Sequence, residues 1–242
     1  MSRSALRIVR GATAAVLLAW PAWAGAQDIY IESVTHSDAV KMMGREVPAQ
    51  DGVNRTWLGD GRLAVQDDAA GTTIIFRADQ SRMYLLNLKD RTYVESAVPL
   101  EIPPDVAQMM DSLKTEVTVT PTGESRVVGR FAATLTRVHI NIMGQDIQMN
   151  YWVSRDVGVP PDQVRKLTEA MFTGNPMLGE VAQKLASLDG YPVRVETTVS
   201  AMGSTFASWQ EVRKVEKKAA PPGTYEVPSG FRKVERSALG QG

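Results

Sequence analysis

His36 and His139 are the only imidazoles in the chain, and there is no cysteine. Acid–base or nucleophilic chemistry would have to be built from these two rings, hydroxyls and carboxylates. No Gly-x-Ser-x-Gly elbow, the turn that exposes a serine nucleophile, occurs anywhere. His139 falls in a strand pattern beside Arg137 and Asn141, opposite Val138, Ile140 and Ile142, the setting of a solvent-facing or hydrogen-bonded histidine. His36-Ser37-Asp38 could offer two ligands on one strand face, but two histidines without a thiolate make a poor zinc set. Asp67-Asp68 and Glu95 with Glu101 flank turns and read as solvated carboxylates. Gly44, Gly59, Gly61 and Gly71 are spread over hairpin turns and precede no helix, so they do not form a phosphate-cradling loop. No catalytic residue, metal site or cofactor is expected, and the chain reads as a non-enzyme.

Methionine is the one compositional departure. Ten remain besides Met1, including Met42-Met43 and Met109-Met110. Thioethers can bind Cu(I), yet no Met-x-Met array and no cysteine accompanies them. Flexible methionines fill irregular cores, and they also suit surfaces that accept varied apolar partners.

The first 26 residues read as an address. Arg3, Arg7 and Arg10 precede an apolar run, Gly11 to Trp20, that Pro21 stops. Ten apolar residues are too few to cross a bilayer, and Ala24-Gly25-Ala26 offers the small-x-small pattern of a cleavage site. Separated arginines do not make a twin-arginine signal, and no cysteine follows for a lipid anchor. A periplasmic protein, exported by the general pathway and cleaved near Ala26, is expected. Without those three arginines the remainder holds 24 basic and 27 acidic groups, a net charge of about −3. The densest basic cluster, Lys214 to Lys218, is interrupted by Glu216, so nucleic acid is not an expected partner.

The elements that would position any site are mostly strands. Short β-type runs at 29–34, 72–77, 82–88 and 92–98 alternate with turn chemistry, as in an antiparallel meander. Asp60-Gly61 marks a hairpin, and further pairs follow at 131–142 with 145–154 and at 193–202 with 205–217. In 145–154, Ile147, Met149, Tyr151 and Val153 share one face, a half-buried strand. Residues 223–228 read as a last short edge strand. Three amphipathic helices are expected. The first, over 103–113, carries Val106, Met109, Met110 and Leu113; the second opens at Pro160-Pro161-Asp162; the third, over 177–188, carries Val181, Leu185 and Leu188. Two runs, Ile74-Ile75-Phe76 and Met83 to Leu88, are apolar on both faces, so something must cover each side of them.

Several short motifs carry a resemblance. Trp152-Val153-Ser154-Arg155-Asp156, Gly190-Tyr191-Pro192-Val193 and Tyr225-Glu226-Val227-Pro228-Ser229-Gly230-Phe231 resemble a secreted bacterial family of unknown function. Trp57, Gly59-Asp60 and the meander from Ile74 to Tyr93 are similar to it as well. Members of that family look like the outer-membrane lipoprotein carrier and receptor (LolA/LolB-like) fold. The resemblance implies a curved antiparallel half-barrel whose apolar hollow is lined by helices, and it transfers no catalytic residue.

Together these readings give an α+β fold: a curved antiparallel sheet, or half-barrel, with about three amphipathic helices on its concave face. It would form one domain over 27–242. The expected function is to shelter an apolar ligand, such as a lipid or acyl chain, between sheet and helices. Phe76, Leu85, Val106, Met109, Met110, Leu113, Met171 and Phe172 are the candidate lining. The alternative is a structural or interaction protein of the cell envelope with a packed core and an envelope protein partner.

Overall fold

The computed structural model describes residues 27–42, 45–99, 115–142, 145–172, 179–201 and 204–235. The expected signal peptide and the helix expected over 103–113 lie outside them. Twelve strands make one open sheet. The first meander holds β4 (Gln50–Gly59), β5 (Arg62–Asp67), β6 (Thr72–Arg77), β7 (Arg82–Asn87) and β8 (Thr92–Ala97). The second holds β9 (Thr115–Val128), β10 (Phe131–Ile142), β11 (Gln145–Ser154), β12 (Tyr191–Ala201) and β13 (Ser204–Lys217). β1 (Ile29–Ser37) lies between them, antiparallel to β4 on one side and to β13 on the other. This N-terminal strand is the seam of the molecule. Ile29 and Ile31 are almost fully buried in the core that runs across it. A small ribbon, β2 (Val40–Met42) with β3 (Arg45–Val47), links β1 to β4.

The tight turns are those that glycine permits. Gly61 takes a φ of 63° in the Asp60-Gly61 turn between β4 and β5, a backbone that costs glycine no steric strain. In the second meander the ladder slips between Thr134 and Thr136, and again at Trp152/Val153. Such bulges sharpen twist. The β9–β10 tip accordingly folds back until Gly129 stands beside the Val212 carbonyl of β13, although two strands separate β10 from β13 in the sheet.

The expectation of an α+β half-barrel with about three helices packed on its concave face is overturned. The molecule is predominantly β, an open twelve-stranded sheet, and only two helices occur among the described residues: α1 (Pro161–Phe172) and α2 (Gly179–Ala186). The physical reason lies in the C-terminal tail. Ile75 and Leu86, on the second face of β6 and β7, are covered by Tyr225, Val227 and Phe231, not by helices. The residues expected as an edge strand at 223–228 are instead consecutive turns, with Gly223 and Gly230 at φ 82°. The tail then ends in β14 (Arg232–Lys233), which pairs parallel to β8. Asp28 fastens its start by accepting from the Ala220 N–H at 3.0 Å, and Arg77 donates to the Tyr225 carbonyl at 3.2 Å.

Each helix covers a local patch. α1 buries Val164 and Leu167 in the main core, while Gln163 donates to the Gly59 carbonyl at 2.7 Å. α2 buries Val181 and Ala182, and with Leu185 and Leu188 it covers an apolar cluster on β9–β12.

Candidate functional site

The cluster under α2 is built by register. Tyr151 faces Val195, which faces Gln210, which faces Thr35; one step along, Met149 faces Thr197, then Ser208, then Ser37. Directly opposed residues point to the same side of a sheet, so two cross-strand rows share one face from β11 to β1. Both rows are apolar at the β11 end and polar at the β13–β1 end. The apolar end continues into Val117, Val138, Ile140 and Val153, and α2 lies over it. Tyr151 is buried there; its hydroxyl donates to the Met149 sulfur at 3.5 Å, and burial pushes its phenol up to about 12. Lys184 of α2 donates to the Val117 carbonyl and ties the helix to β9.

Two clefts open on either side of this cluster. One, of about 480 Å³, lies toward the end of β11, with Val119, Thr134, Thr136, Val153 and Leu188 among its walls. Arg155 and Asp189 form an ion pair at its rim. The other, of about 420 Å³, lies over the polar end of the rows, with Met149 and Val195 as an apolar part of its floor. Both volumes fall in the range of small-ligand sites. A third space, about 460 Å³, lies between α1 and the β4–β5 turn, touching Asp60, Gln163 and Leu167.

Of the expected lining residues, only Phe76 and Leu85 have described side chains, and they share one face of β6 and β7. Phe76 is fully buried in the main core, 0% exposed, and so lines no opening. Leu85 is half-buried on the face of β7 that lies opposite Ile74 and Val94. Val106, Met109, Met110 and Leu113 lie outside the described residues. Met171 and Phe172 close α1, and their side chains are likewise outside what is described. The face of Ile147, Met149, Tyr151 and Val153 was legible as a half-buried strand, and Val181, Leu185 and Leu188 as a helical stripe. That the two meet was not, because register across β11–β13 depends on pairing partners far apart in sequence.

The two histidines hold structural pairs. His36 Nδ1 lies 2.7 Å from Asp51 and Nε2 3.1 Å from Asp38, and the ring stacks on Trp209 at 5.8 Å. The Asp51 carboxylate holds that imidazole above its ordinary value. His139 pairs with Asp146. Among the described residues no three histidine or acidic side chains stand close enough to hold a metal ion. Glu216 lies 2.8 Å from Lys214 and 2.6 Å from Lys218, so the densest basic cluster is partly offset from within. No described helix is long and apolar enough to cross a membrane.

Residues 61–231 match a family described as a domain of unknown function, DUF4412. The chain belongs to the DUF4412 family. The matched span of this DUF4412 chain runs from the β4–β5 turn to Phe231 and so includes α2, most of both clefts and the tail. No curated protein matches it. Among solved structures, a DUF1329 family protein from Desulfovibrio piger ATCC 29098, determined at 1.75 Å, is similar over 88% of this chain and 92% of its own, with 9% identity and a TM-score of 0.32.

Proposed function

We propose that this DUF4412 protein is a non-enzymatic binding protein of the periplasm, exported by the general pathway, that shelters an acyl chain or similar lipid tail between α2 and β9–β12. The observation that carries the reading is the apolar cluster under α2, open at both sides into clefts of about 480 and 420 Å³. A tail lying along the half-buried Leu188, Met149 and Val195 would exchange water for apolar contact, at roughly 0.8 kcal/mol for each methylene buried. α2 has eight residues and is too short to be stable alone, so it is held by what it covers and can shift to admit a guest. The N-terminal sequence supports export.

One feature favours a second reading, a structural or interaction protein of the envelope. β9 is a 14-residue edge strand, and Val127 on it is 71% exposed, a surface on which another chain could pair. Native mass spectrometry of protein purified from the cell envelope separates the two. Lipid binding predicts an added mass that organic extraction removes, and uptake of a fluorescent fatty-acid probe afterwards. A clean apo mass with no probe uptake would overturn it in favour of the second reading.

A further inference from the structure

The polar end of the two cross-strand rows says what kind of head the tail carries. Thr35, Thr197 and Ser208 present hydroxyls to the 420 Å³ cleft, and among the described residues these make no side-chain hydrogen bond. Asn54 pairs with one end of the Gln210 amide at 3.3 Å, which leaves the other end unpaired among the described residues. The charged groups on the cleft wall are Asp67 and, when protonated, His36, which Asp38 and Asp51 already occupy; no lysine or arginine lines it among the described residues. A phosphate or carboxylate placed here would meet the Asp67 carboxylate and no free cation. Hydroxyls and amides are matched to a neutral head that both donates and accepts. Met149 and Val195 join this cleft to the apolar cluster under α2, so head and tail can be held by one continuous surface.

We infer that the ligand is an amphiphile with an uncharged, hydroxyl-bearing head of glycerol or sugar type, seated on Thr35, Thr197, Ser208 and Gln210, with its chain running over Met149 and Val195 beneath α2. This rests on the apolar-ligand reading above and goes further by fixing the head-group chemistry.

The test uses the mature chain and two probes with the same tail, 1-monomyristoylglycerol and myristate, each titrated against a bound fluorescent fatty acid at neutral pH. Monomyristoylglycerol displaces the fluorophore about tenfold more tightly than myristate, the worth of one or two net hydrogen bonds. Thr197→Val with Ser208→Ala, changes of nearly constant volume on paired strands, narrows that preference to within about threefold while circular dichroism shows the fold retained. Equal or tighter displacement by myristate overturns the head-group assignment and leaves the apolar-ligand reading in place. A preference that survives both substitutions overturns the assignment to this cleft. Failure of the fluorophore to bind at all overturns both.

Discussion

At the residue scale, the histidines that could have signalled chemistry are clamps. His36 joins the end of β1 to Asp51 on β4 and to Asp38, and rests against Trp209 on β13. Because Asp51 first, and Asp38 after it, favour the protonated ring, its folded-state value lies above the ordinary 6.5. A raised value means that folding favours the charged form. The added stability is complete below about 6.5 and is lost as pH rises through the folded-state value. His36→Ala should therefore lower the melting temperature more at about pH 5.5 than at about pH 8.5. An equal loss at both would remove the ion-pair explanation. Gly190 is a second position where one atom decides. It has a φ of 134°, and an added Cβ would lie 2.6 Å from the Ser154 carbonyl oxygen, backbone that cannot swing away. Gly190→Ala should cost roughly 1–3 kcal/mol in urea unfolding. The Ser154 backbone behind this glycine is known only once β11 and β12 are paired.

At the scale of elements, the strands were legible and the partners of their faces were not. β11 falls where alternation places it and β6 and β10 where β-type runs and turn residues do, because these are local signals. The doubly apolar runs in β6 and β7 announce that both faces are covered without saying by what. Helices were the available amphipathic elements, so the tail was overlooked. Its Tyr225, Glu226 and Val227 look like strand residues, yet the glycines on either side bend it into turns that press Tyr225 onto Ile75 and Leu86. If the tail is a cover, the ring matters more than the hydroxyl, whose acidic neighbour Asp28 is already engaged by the Ala220 N–H. Tyr225→Ala should lower unfolding stability by about 3–5 kcal/mol, whereas Tyr225→Phe should change it by less than about 1 kcal/mol. Equal losses in calorimetry would mean that the hydroxyl, not packing, holds the tail. The β2–β3 ribbon and the first half of β4 escaped notice for a different reason. Gln50 to Asn54 carry almost no apolar alternation, and they become a strand through backbone pairing to β1.

At the scale of the whole molecule, one seam strand joins two meanders, and the proposed lipid surface lies where the seam meets the second. The rows that start apolar beneath α2 cross β12 and β13 and end in hydroxyls on β1. In the proposed reading, a sheet graded in this way holds an amphiphile along its strand-to-strand direction, with α2 as its cover. The site residues named from sequence were gathered from strands and helices by apolarity alone. The grading of the two rows needs the pairings of four strands, which no local pattern encodes.

Hydrogen–deuterium exchange with and without monomyristoylglycerol examines that arrangement most directly. Binding should slow exchange in α2 and in the facing stretches of β11 and β12, with smaller effects in β1, β13 and the Asp67 end of β5, and should leave β7, β8 and the tail unchanged. Protection confined to the α1 side or to the β5–β8 wing, or no protection under saturating ligand, would contradict a lipid site beneath α2.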